Sequence, residues 1–140
     1  MVQLIIDNLN CWAVLVAGLA HFVFGLVWFG VFYNLWSVEI ARHGVTIAAP
    51  TKQRMARNLL VTFVGALITA FAVAVVVLMA HSHTVVSALK VGLFCGAGFS
   101  AVTLGVVYHC EGKPYKLFLI DAGNAVIGTV ICSIILSLWR

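Results

Sequence analysis

The sequence predicts an all-α fold: an integral membrane bundle of four transmembrane helices, with a short interfacial helix after the first. Three observations predict it. Hydrophobic residues make up 64% of the 140 residues and charged residues only 9%, more apolar surface than a soluble domain of this size can hide. The mean hydropathy is +1.14. Four long apolar runs, at about 10–33, 57–80, 85–109 and 115–138, are separated by short polar links, and each run can cross a hydrocarbon core of roughly 30 Å. The whole chain, 1–140, is read as one four-helix transmembrane domain.

The first run is interrupted only by His21. It follows Asp7 rather than a basic region and exceeds the usual apolar core of a signal peptide, so a permanent helix is expected. Gly18, His21, Gly25 and Trp28 recur at helical spacing and share one face. The glycines there allow another helix to approach closely. After Tyr33, Leu35, Trp36, Val38 and Ile40 alternate with Glu39, Arg42 and His43, which suits an interfacial helix or the fraying end of the first one. Gly44 is expected to stop it.

Pro50 and a Thr51 cap open the second run, whose internal hydroxyls are Thr62 and Thr69. The brief link His81-Ser82-His83-Thr84 makes the second and third helices antiparallel neighbours. In the third run Gly92, Gly96 and Ser100 form a small-xxx-small ladder, with Gly98 and Gly105 as a second stripe. Contact with another helix of the same chain is the favoured use of the ladder, ahead of dimerisation. A tight charged turn, Glu111-Gly112-Lys113-Pro114-Tyr115-Lys116, leads into the fourth run, where Asp121, Asn124 and Gly128 share a face and Trp139 anchors the far end.

The net charge of +4 does not point to nucleic acid, because the basic residues are few and sit between apolar runs. Six of the eight (Arg42, Lys52, Arg54, Arg57, Lys113, Lys116) belong to the first and third links, against Lys90 and Arg140 opposite. The positive-inside rule then predicts an inner (plasma) membrane protein with those links cytoplasmic and both termini outside. Cys11, Cys95, Cys110 and Cys132 show neither a C-x-x-C pair nor matched histidines, and are expected to be small buried hydrophobes.

Asp121 is the one acid inside a span, roughly 9 Å below the start of its helix. An intramembrane acid is a functional candidate by default, and the competing expectation is a structural pair with Arg57 or His109. Helices one and four are expected to pack through Gly18, His21, Gly25 and Trp28 against Asp121, Asn124 and Gly128, with His21 and Asn124 hydrogen-bonded. His81, His83 and His109 lie at other depths than His21, so neither a metal nor a haem is expected within one chain. No nucleophile–base set, phosphate loop or H-E-x-x-H signature occurs.

From Asn10-Cys11-Trp12-Ala13-Val14-Leu15-Val16-Ala17 through Gly25-Leu26-Val27-Trp28-Phe29 and Trp36, and again over Glu111 to Gly123 and Leu138-Trp139, the chain resembles a bacterial family, domain of unknown function 1761 (DUF1761). The resemblance implies a small four-helix membrane protein and brings no activity. The family commonly has a Trp-Tyr pair where this chain has Trp28-Phe29, and an Asn where it has Tyr108-His109, which argues against polar roles at those two places. Small multidrug exporters need a glutamate within the first helix, and no acid occurs between Asp7 and Glu39. Membrane glutathione enzymes use a charged second helix, and here that span has no charge after Arg57. The expectation is a non-enzymatic membrane protein, a homo-oligomer or an accessory unit of a larger membrane complex. The alternative is a small proton- or cation-coupled transporter using Asp121 with His21 and Asn124.

Overall fold

The computed structural model describes residues 9–44 and 51–139; Asp7, Pro50 and Arg140 lie outside the described residues. Four helices follow one another: α1 (Cys11–Arg42), α2 (Lys52–Met79), α3 (Val85–Cys110) and α4 (Tyr115–Leu138). All four are long and apolar enough to cross a membrane, and no strand occurs among the described residues.

Asn10 caps α1 by accepting from the amides of Trp12 and Ala13, which satisfies two donors that a helix start leaves open. The helix does not pause at Tyr33. It runs unbroken to Arg42, so of the two expectations for this stretch, a separate interfacial helix or the end of the first one, the second describes it. Nothing between Tyr33 and Arg42 is a Gly or a Pro, and the apolar face simply continues. At 1.5 Å per residue α1 is about 48 Å long, more than a hydrocarbon core of about 30 Å requires. Gly44, with φ of +76°, ends it, in the left-handed region that suits a residue without Cβ.

Thr51 takes the cap position of α2 without a side-chain bond, and the helix begins some five residues earlier than its apolar run. Thr84 and Ser87 form a reciprocal capping box at the start of α3. Between α3 and α4 the chain turns through Gly112 at φ +65°, while the Lys113 amide closes onto the Tyr108 carbonyl at 2.9 Å.

The helices are organised around α4, which packs against each of the other three. Its buried positions are mostly small: Ala122, Gly128, Thr129, Cys132, Ser133 and Ser137. Lipid tails are as apolar as side chains, so close approach and hydrogen bonds replace hydrophobic burial as the adhesive here. The ladder in α3 meets α4 directly. A Cβ on Gly92 would fall 2.6 Å from Val130 Cα, and one on Gly96 would fall 2.8 Å from Val126 Cα. Side chains of α4 add bonds to neighbouring backbones: Ser133 Oγ to Ala88 O (2.8 Å), Ser137 Oγ to Ser82 O (2.8 Å) and Cys132 Sγ to Ala17 O (3.4 Å).

Contacts between α2 and α3 fall at the first turns of α3, Val85–Leu93. Beyond them the two helices, neighbours in the chain, diverge. In α3 the stretch Phe94–Ala101 is wound as π-helix, a form that concentrates at functional sites. Cys95 and Cys132 are buried, whereas Cys11 and Cys110 are exposed, so only two of the four cysteines serve as core residues. Gly98 faces open space, and Gly105 lies 3.3 Å from the Phe118 ring as judged by an added Cβ.

Gly96→Val forces the α3 and α4 backbones apart. It should cost about 1–3 kcal/mol, read as a lower melting temperature in mild detergent, while Gly98→Ala should leave melting unchanged or slightly raised.

Candidate functional site

Helices α1 and α4 cross through a run of contacts between rings and glycines. The His21 imidazole seats over Gly128, where an added Cβ would overlap the ring. Four residues on, Gly25 faces the Asn124 amide oxygen at 3.7 Å from such a Cβ. Trp28 lies over Gly123 and donates its indole N–H to Ile120 O at 3.0 Å. Gly18 does not join this run. It meets Leu67 of α2, whose Cα would stand 3.2 Å from an added Cβ, because the α1 face rotates toward α2 at its start.

The three polar residues expected as one seam divide. His21 and Asn124 line a cleft of about 460 Å³ whose walls come from all four helices: Phe22, Leu26 and Phe29 of α1, Thr62, Gly65 and Thr69 of α2, and Ser100 of α3. The divergence of α2 from α3 leaves this side of the bundle open, and Ser100 belongs to the π-wound stretch. Asn124 is about 14 Å along α4 from Tyr115, and Thr62 about 15 Å along α2 from Lys52. The cleft therefore sits near the middle of a hydrocarbon core of about 30 Å.

His21 and Asn124 do not bond to each other. His21 Nδ1 and Asn124 Oδ1 are both fully buried and without a hydrogen-bond partner. An unmade bond of this kind costs about 1–3 kcal/mol, and within a bilayer no bulk solvent makes up the loss.

Asp121 turns the other way, toward α3, and accepts a hydrogen bond from the Tyr108 hydroxyl. Neither expected partner reaches it: the exposed Arg57 and His109 form no ion pair with it. The reason is rotational. Tyr108 and His109 point about 100° apart around α3, and it is Tyr108 that faces α4. The Trp36 indole lies within electrostatic reach of the same carboxylate, although its buried Nε1 completes no hydrogen bond. Lys113 stands 5.0 Å from the centre of the Tyr108 ring, a cation–π distance. Asp121 thus ties α4 to α3 through a tyrosine that the sequence reading set aside. The available signal was the aromatic hydroxyl thirteen residues before an intramembrane acid, across a four-residue turn.

A second site missed from the sequence is Glu39. Its side chain is only 10% exposed, and Oε1 meets Arg42 at 3.1 Å and Lys116 at 3.3 Å. It closes the end of α1 onto the start of α4. Among the described residues, no group of three or more His, Cys, Asp or Glu side chains comes together that could hold a metal.

Tyr108→Phe leaves the Asp121 carboxylate without its donor. It should lower stability by about 1–3 kcal/mol, and in a double-mutant cycle with Asp121→Asn the two losses should be less than additive. Arg57→Ala and His109→Ala should each stay within about 0.5 kcal/mol.

Comparison with known proteins places these observations in a family. A search of curated proteins and a search of solved structures each find no match. The model described as "Protein of unknown function (DUF1761)" matches residues 12–137, which takes in the described helices almost entirely, and the chain belongs to that family.

Proposed function

We propose that this chain is a non-enzymatic multi-pass membrane protein whose working part is the mid-membrane cleft, where it binds a small hydrogen-bonding molecule with an apolar body. One observation carries the reading: His21 and Asn124, each of which holds a buried polar atom with no hydrogen-bond partner, line a cleft of about 460 Å³. Small-molecule sites usually run from roughly 300 to 1,000 Å³, apolar in the main with a few placed polar groups. Phe22, Leu26 and Phe29 supply the apolar wall, and Asn124, His21, Thr62, Thr69 and Ser100 the polar points. The ligand brings polar groups that pair with the Asn124 amide and the His21 imidazole.

For a transporter the same cleft is the substrate site, and His21 rather than Asp121 is the titratable group in it. Asp121 is occupied by Tyr108 and does not line the cleft. The clustering of basic residues at the end of α1, the start of α2 and the start of α4 favours an inner-membrane orientation with that end cytoplasmic and the termini outside.

A second reading, an accessory or oligomer-forming subunit, is favoured by the open flank. Gly65 lines the cleft with nothing within 4 Å of an added Cβ, so side chains of a helix packed from another chain have room to enter beside His21 and Asn124.

Asn124→Leu separates these readings from a purely structural role. Removing an unpartnered amide should raise the melting temperature of the empty protein, whereas a structural hydrogen bonder would lose stability. Native mass spectrometry and small-molecule extraction from protein held in lipid nanodiscs should find a bound small molecule in the unaltered chain and none in Asn124→Leu. A stoichiometric protein partner in its place would establish the accessory reading, and a bare, destabilised variant would refute both.

A further inference from the structure

Apart from the mid-membrane cleft, a second groove of about 420 Å³ lies where the end of α1 meets the start of α4, lined by Asn34, Leu35, Val38, Glu39, Arg42 and Lys116. Its two walls differ in chemistry along the membrane normal. Leu35 and Val38 are 56% and 51% exposed and lie on the turns of α1 nearer the hydrocarbon. Arg42 closes α1 and Lys116 opens α4, so both cations stand at headgroup level on the outer side of those leucine and valine side chains.

The charges here do not cancel. Arg42 and Lys116 share one carboxylate oxygen, Glu39 Oε1, at 3.1 Å and 3.3 Å, which leaves one positive charge over. Their side chains remain 64% and 65% exposed, whereas that of Glu39 is 10% exposed. The carboxylate therefore works as a buried post that holds two cationic tips beside each other, and their remaining donors face outward. An Arg fork next to a Lys suits a phosphate, and basic pockets between transmembrane helices are a known form of anionic headgroup recognition.

We propose that this groove binds one anionic phospholipid of the surrounding leaflet, its phosphodiester between Arg42 and Lys116 and one acyl chain along Leu35 and Val38. The single negative charge of a phosphodiester equals the charge that Glu39 leaves uncompensated. A zwitterionic lipid fills the apolar wall equally well and offers the same phosphodiester, but its quaternary ammonium brings a positive charge back beside the two cations and offsets their attraction.

The test is native mass spectrometry of the full chain released from nanodiscs holding equal amounts of phosphatidylglycerol and phosphatidylcholine. One uncompensated charge should favour a single retained phosphatidylglycerol about fivefold. The paired change Arg42→Gln with Lys116→Gln should bring the two lipids to parity, whereas Lys113→Gln, on the same side but outside the groove, should leave the preference intact. Glu39→Gln frees both cations and should raise the preference by about another fivefold; it keeps the test open should the paired variant fail to fold. Equal retention of both lipids by the unaltered chain overturns the proposal, as does a preference that Glu39→Gln lowers or Lys113→Gln abolishes. Displacement of the lipid by excess inorganic phosphate overturns it as well, in favour of a free-phosphate site.

Discussion

The rest of the structure depends on the close packing of α4 against three neighbours. In water, such a helix would be driven inward by its apolar side chains, but in lipid that drive is absent. What remains is proximity. Gly128 admits the His21 ring, Gly123 admits Trp28, and on the opposite partner Gly92 and Gly96 admit the backbone of α4 itself. Hydroxyls follow where backbones come near: Ser133 and Ser137 reach carbonyls of the third span and of the link before it. Each such bond contributes only about 0.6 kcal/mol on average in membrane proteins. The bundle is therefore held by many close contacts, with hydrogen bonds fixing register.

The same packing creates the cleft. With α4 drawing α1, α2 and α3 to itself, α2 and α3 meet only near their short link and separate further along. The π-wound stretch of α3 lies in that divergent part, where an extra residue per turn broadens the helix and changes which side chains look inward. A gap opened in the apolar middle of a membrane protein would ordinarily be lined by apolar groups. This one is lined by His21, Asn124, Thr62, Thr69 and Ser100 among its apolar residues, and that mismatch between lining and surroundings supports the binding reading.

Charge is handled differently at the end of the bundle where α1 stops. Glu39 and Asp121 are both withdrawn from solvent, yet they are satisfied by different means. Glu39, in the last turn of α1, takes two cations; Asp121, about 9 Å inside the start of α4, takes a phenol. A hydroxyl partner is easily accommodated inside the membrane, because no second long charged side chain has to be desolvated with it.

Four spans, the turn at Gly112, the stop at Gly44 and the family resemblance were all legible in the sequence, because span length, hydropathy and turn chemistry are properties of consecutive residues. The glycine ladder of α3 was legible too, since small residues three and four apart must share a face. What the sequence left open was rotation. A helix apolar on every side has no polar face to orient it, so the choice between Tyr108 and His109 as partner of Asp121 depended on which way α3 turns. The same rotation sent Gly18 to α2 instead of α4 and left His21 and Asn124 side by side with no bond between them. Glu39 was read as part of a polar link because only the unbroken course of α1 carries it to Lys116. The sequence by itself determined that the chain forms four membrane-length helices and where they turn. Tertiary structure alone decided which polar groups meet and which are left facing a cleft, because that depends on helix rotation and crossing, which hydropathy does not encode.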